Sequence, residues 1–234
     1  MAEELVAELE ARSDFRFAAE GLSKPLAGNR LGTVLATDMK DALVLAGYGY
    51  HVSVGALTTP IAGGGGDGGV PDITLSELSI AVPTGTAIRI LRGSVQVEAQ
   101  ADADGVITEA FIAVDRATAS TASSSTGIVE TVFNMRTDAP RSTACTVVSA
   151  NTVAHNTAVH HLELARKQLV ANIVTAGITQ GIVDLVYEPK TSPIIVGPAS
   201  VFFHWGSSAG SVSGFAQAEW LEYPAGLGDL FGGN

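Results

Sequence analysis

The chain has 234 residues, 46% of them hydrophobic and 16% charged, against a usual charged share of about 25%. That balance excludes a disordered polymer, and the length supports a core that needs no metal or disulfide staple. The 24 acidic and 13 basic residues give a net charge of −11, and the four lysines, Lys24, Lys40, Lys167 and Lys190, are scattered. Gripping nucleic acid or anionic lipid through phosphates needs clustered cations, so that class is excluded.

Cys145 is the single cysteine, which rules out an intrachain disulfide and a cysteine-based zinc site. It reads as a small buried apolar residue. The N-terminus, MAEELVAELEARSDF, is broken by acids every few residues and is not a signal peptide. No apolar run approaches the roughly 18 residues of a spanning helix. The expectation is a protein made in a cytoplasm, with no export signal and no membrane insertion.

Residues 1–46 have helical character. Leu5, Val6 and Leu9 share a face amid Glu3, Glu4, Glu8 and Glu10, and Pro25, Gly28 and Gly32 then break the pattern. A second short helical piece is predicted over Asp38–Leu45. From Gly47 the periodicity becomes that of a strand, with Tyr48, Tyr50, Val52 and Val54 alternating with small or polar residues. Gly63–Gly69, six glycines and Asp67, is a flexible loop; it lacks the lysine of a phosphate-binding loop.

The segment from Ile73 to Ala101 predicts a strand, a turn at Pro83-Thr84-Gly85 and a long second strand. In that second strand Ile88, Ile90, Arg92, Ser94 and Gln96 fall on one face, and Arg89, Leu91, Gly93, Val95 and Val97 on the other. Asp102–Gly105 is a turn and Val106–Val114 a strand. Thr118–Thr126 is a Ser/Thr/Ala surface loop, Ile128–Met135 a strand, and Arg136–Arg141 a turn around Pro140. Strands are predicted for Ser142–Val153, Val159–Ala171 (where a helix competes), Gly181–Glu188, Ala199–Gly206 and Phe215–Tyr223. About eight to ten strands with turns between them, and no βαβ alternation, predict an antiparallel all-β sandwich or barrel.

The chain contains one dense histidine and carboxylate group, His155, His160, His161 and Glu163, with His204 as a distant partner. Three or four converging ligands could hold a metal, but the spacing lacks a cupin's H-x-H pattern, so the histidines are read as surface or interface residues. His51 is read as packing, and Asp138 with Arg141 as a turn with a local ion pair. Asp72, Glu77, Asp102 and Asp104 are the oxygen set that could gather around calcium at a subunit contact. There is no GxSxG elbow; Gly206-Ser207-Ser208 sits in a turn, and Glu219 and Glu222 fall on opposite strand faces, so no paired-carboxylate site forms from them. Phe202, Phe203, Trp205, Phe215 and Trp220 are read as core and interface aromatics. No enzyme activity, catalytic residue, cofactor or metal is assigned.

Three segments carry a resemblance: SIAVPTGTAIRILRGSVQVEAQ, FNMRTDAPRSTACTVVSA and PIIVGPASVFFHWGSSAGSVSGFAQAEWLEYP. Together, over roughly residues 47–224, they resemble the single jelly-roll major capsid proteins of small icosahedral viruses. In that family a strand like SVFFHW is followed by a hairpin and a last strand like AEWLEYP. The resemblance implies an eight-stranded antiparallel jelly roll over 47–224, a partly helical N-terminal arm over 1–46 that contacts other subunits, and a flexible tail over 225–234. It implies a structural protein of the virion, self-assembling into an icosahedral shell around the genome through lateral contacts between many copies, with room for a second capsid protein. Capsid arms of this family are often basic; here residues 1–20 hold six acids against Arg12 and Arg16, which implies weak or indirect contact with the genome. The rival readings are a virion spike, fibre or lectin-like binding module and, third, a cupin-like metalloenzyme. High apolarity without a membrane segment fits large subunit contacts.

Overall fold

The computed structural model describes residues 39–56, 58–63, 76–98, 107–116, 127–138, 140–149, 161–170, 182–208 and 212–224. Among them are one helix, α1 (Met39–Leu45), and thirteen strands: β1 (Gly49–Val54), β2 (Ile61–Ala62), β3 (Leu78–Val82), β4 (Thr86–Glu98), β5 (Ile107–Asp115), β6 (Ile128–Val129), β7 (Phe133–Asn134), β8 (Thr146–Ser149), β9 (Leu162–Val170), β10 (Ile182–Tyr187), β11 (Ile195–Val196), β12 (Ala199–Ser207) and β13 (Ser213–Pro224). The helix reproduces the short piece expected at Asp38–Leu45, and the ambiguous Val159–Ala171 segment is strand. The helical face at Leu5–Leu9, the glycine run beyond Gly63, the Asp102–Gly105 turn, the Ser/Thr loop and the tail from 225 lie outside the described residues.

The strands form two antiparallel sheets, the all-β sandwich that the alternating pattern predicts. One sheet runs β10-β4-β13-β1-β7, with β11 also on β4 and β2 on β13; the other runs β6-β8-β3-β12-β5-β9. Apolar side chains of both sheets meet in one cluster that includes Val52, Ile80, Ile90, Ile112, Val201, Phe203, Trp205 and Trp220. Tyr50 stacks on Trp220 with ring centroids 5.9 Å apart. β12 is buried along its whole length. Its Val201, Phe203 and Trp205 face the inter-sheet core, while His204 stacks on Phe111 of the neighbouring β5 at 4.6 Å. A strand buried on both faces is written as a near-continuous apolar run, and ASVFFHWG is one.

Two local devices set the geometry. The turn between β3 and β4 closes with the Thr86 amide donating to the Pro83 carbonyl (3.2 Å), and its third residue is Gly85 at φ 84°, where a side chain is strained. Within β4 the register against β13 slips: Arg92 faces Glu219, and Ile90 faces Trp220, so Leu91 is an extra residue. This bulge corrects the two-face reading of the long strand. Ile88 and Ile90 point into the core, but beyond the bulge the core positions are Val95 and Val97, not Ser94 and Gln96. Gly93 lies just past it, where a Cβ would come within 2.9 Å of the Ile112 side chain, so the two sheets close over a bare backbone.

The single strand expected over Ile128–Met135 is instead two short ones in different sheets. β6 pairs with β8 and β7 with β1, so residues 128–135 form a strap across one side of the sandwich. Its Val132 packs on the core. On the opposite side the Lys167 ammonium of β9 donates to the Asp184 carbonyl of β10 (2.7 Å), tying the sheet edges together. Helix α1 lies on the first sheet, with Leu43 clustered with Ala87, Leu221 and Tyr223, and the Arg136 guanidinium donates to the Leu45 carbonyl at its C-terminal end (2.8 Å).

Phe203 is fully buried where the two sheets meet. Phe203→Ala is expected to lower unfolding free energy by about 3–5 kcal/mol, read as a shifted denaturant midpoint; a loss below about 1 kcal/mol would mean that this core collapses around the void.

Candidate functional site

The structure gives each described member of the histidine and carboxylate group its own partners. His155 and His160 lie outside the described residues. His161 sits at the start of β9 with Nδ1 3.2 Å from the buried Asp115 carboxylate, and it accepts the Arg116 amide at 3.3 Å. Glu163 is engaged by Arg166, whose Nε and Nη2 donate to it at 2.9 and 2.5 Å. Arg166 reaches the buried Glu109 with Nη1 and lies over the Phe111 ring at 4.6 Å. The Glu163 hydrogen bonds, with Glu109 behind them, hold the guanidinium pKa above its usual value against the opposing effect of burial. His204 belongs to the aromatic stack with Phe111 and Phe202. Among the described residues no three His, Cys, Asp or Glu side chains are arranged to hold a metal.

Of the expected oxygen set, Asp72, Asp102 and Asp104 lie outside the described residues. Glu77 is buried, and its Oε2 accepts the backbone amide of Trp205 at 2.9 Å. At the turn around Pro140, Asp138 forms an ion pair with Arg136 (2.9 Å), two residues away. Arg141 lies over the Tyr48 ring at 4.6 Å. His51 faces Glu219 across the β1–β13 ladder. Cys145 is buried in the core cluster, where burial and then the nearby Glu222 push its thiol pKa far up, leaving it protonated and a poor nucleophile.

Glu222 is a residue whose role the sequence reading missed. It shares the inward phase of β13 with Trp220 and is buried, whereas Glu219 is on the other face. Its Oε2 accepts the Thr143 hydroxyl (2.6 Å) and its Oε1 the Ala144 amide (2.7 Å). Thr143 Oγ1 in turn accepts the Cys145 amide at 3.0 Å. The Tyr50 hydroxyl donates to the Ser142 carbonyl at 3.1 Å. These bonds fasten residues 142–145 to the end of the sandwich, beside a cleft of about 440 Å³ lined by Tyr48, Tyr50, Arg141, Glu222 and Tyr223. Both oxygens of this carboxylate accept hydrogen bonds from the 143–144 loop, which it positions. The available signal was its phase: a glutamate two residues from a core tryptophan on one strand.

The other notable surface is apolar. Ile128, Val129 and Phe133 of the strap are 61%, 62% and 61% exposed. On the opposite side, Leu162, Val170 and Val186 are between 44% and 57% exposed. Exposed apolar groups gathered on one surface mark interaction sites on soluble domains. A groove of about 490 Å³ runs between Leu162 and the segment Pro193–Val196, bordered by Arg116 and His161. Among the described residues no helix is long and apolar enough to cross a membrane. Comparison of the chain with protein-family models, curated proteins and solved structures finds no match.

Two outcomes test the cleft. Glu222→Ala strands a buried hydroxyl and amide and is expected to cost about 1–3 kcal/mol in stability, whereas an unchanged melting curve would mean that the 142–145 loop is held by other bonds. The Tyr50 phenol is raised from 10.0 to about 12, first by burial and then by the Glu222 charge. Because the folded value is the higher one, the associated stability is complete below pH 10 and declines between pH 10 and about 12. Tyr50→Phe should flatten the stability-against-pH curve in that window, and an unaltered slope would contradict the assignment.

Proposed function

We propose that this chain is the subunit of a protein shell, a single jelly-roll capsid protein that assembles in many copies around a genome. The observation that carries the reading is the nesting of the strands. Eight long strands in chain order, β1, β3, β4, β5, β9, β10, β12 and β13, pair first with last, second with seventh, third with sixth and fourth with fifth. That is one long antiparallel hairpin. The additional pairs β13–β4 and β12–β5 roll it into two four-stranded sheets. A rolled double Greek key of eight strands is the jelly roll, a fold that recurs in viral capsids, lectins and cupins. β8, β6, β7, β2 and β11 are additions at its edges.

Fold by itself does not assign function, so the shell reading over the lectin and cupin alternatives rests on surface character. Glu163 is tied up by Arg166, and the best-defined carboxylate, Glu222, is committed to a loop. The solvent-facing features that call for a partner are apolar side chains on two opposite sides of the body, the surface expected of a subunit with neighbours on both sides. The net charge of −11 supports indirect contact with the genome, with neutralising cations supplied by small ions or another component.

Negative-stain electron microscopy with mass photometry on the full-length protein tests this. Uniform closed particles are expected at high protein concentration. A monomer under every salt and pH condition would overturn the proposal, and trimers that bind glycans on an array would replace it with the spike or lectin-like module.

A further inference from the structure

We propose that copies of this chain join head to tail, the strap of one subunit (Ile128, Val129, Phe133) seating against the groove beside Leu162, Ile194 and Val196 of the next. This deepens the shell reading above and rests on it.

The argument starts from topology. β6 and β7 end their sheets on the same side of the sandwich, and the strap joins them there. β9 and β10 end the sheets on the opposite side, with β11 following β10 along the same edge of β4. The two sides differ in form. The first presents projecting apolar side chains on two-residue edge strands. The second presents a groove with Leu162 on one wall and Ile194–Val196 on the other. A contact of like with like covers one side of each copy and leaves the other in water. Only a heterologous contact covers both with a single interface, and a heterologous contact that closes on itself builds rings.

Charge points to the same occupant. Each copy carries −11, so two copies repel unless the touching surfaces are apolar or locally opposite in sign. The strap holds Glu130, half-buried and accepting the Ser149 hydroxyl, while Arg116, exposed, borders the groove. Glu130 of the strap therefore faces Arg116 of the groove only in the head-to-tail arrangement. Both edges are also short or tied, β7 at two residues and β9 by Lys167 to β10, so the contact is made by side chains and not by extending a sheet.

The test mixes two full-length single-substitution proteins, Phe133→Cys and Ile194→Cys, distinguishable by a size tag, and links thiols with a short bismaleimide. Both positions are exposed and the native Cys145 is buried, so the introduced thiols are the reactive ones. Mixed dimers are expected at about tenfold over like-with-like dimers. Predominant Phe133→Cys self-linking would overturn the head-to-tail contact in favour of a two-fold one. Large particles by mass photometry with no linking of either kind would overturn the contact while leaving the shell reading standing. Monomers throughout would end both. Phe133→Asp gives an independent measurement. With Phe133 61% exposed, the melting temperature should stay near that of the parent while particles are lost, and undiminished assembly would count against the strap.

Discussion

The last two described strands, one in each sheet, supply the middle of the sandwich. β12 lies between β3 and β5, and β13 between β1 and β4. Their side chains, Val201, Phe203, Trp205 and Trp220 among them, fill the space between the sheets. β1, β2, β3, β4 and β5 all hydrogen-bond to one or the other of them. Almost all of that pairing joins residues far apart in sequence, so loop-closure entropy has to be met before most contacts form. A chain with no disulfide meets it with apolar burial, which is why β12 is apolar along nearly its whole length.

Inside that frame, buried charge serves geometry. Glu77 receives the amide of Trp205, Glu222 holds the 143–144 loop, and Glu109 lies under Arg166. Glu77 and Glu222 sit near strand ends, where a ladder leaves a backbone amide unpaired or a loop must be fixed, while Glu109 lies within the β5 ladder under a cation. A buried carboxylate is costly when isolated and acceptable when several donors converge on it. Glu77, Glu109 and Glu222 are in this fold fasteners of an apolar sandwich.

The surface follows a different economy. The closed core leaves apolar side chains of the strap and of the β9–β11 side in water, on opposite sides of one body. A monomer gains nothing from that exposure, whereas a subunit with a neighbour on each side covers it. In the proposed shell, the low charge content leaves few ions to desolvate where copies meet.

Much of the fold was legible in the residues. Strand periodicity, turn signals and the absence of βαβ alternation are local properties, and they predicted the antiparallel sandwich, the Pro83-Thr84-Gly85 turn and most strand positions. Three things were not local. The phase of β4 depends on Leu91 being extruded opposite β13, so Val95 and Val97, not Ser94 and Gln96, reach the core. The stretch Ile128–Met135 reads as one strand, yet its two ends pair with partners in different sheets. The partners of Glu163, Glu222 and Asp138 were set by which segments fold together, and a carboxylate's pattern in sequence is the same whether it will hold a metal, a loop or an arginine. The sequence by itself determined the class of secondary structure, because backbone preference and alternation act over a few residues. Tertiary structure decided register, sheet membership and the use of each polar group, because those are settled by pairings between residues tens of positions apart.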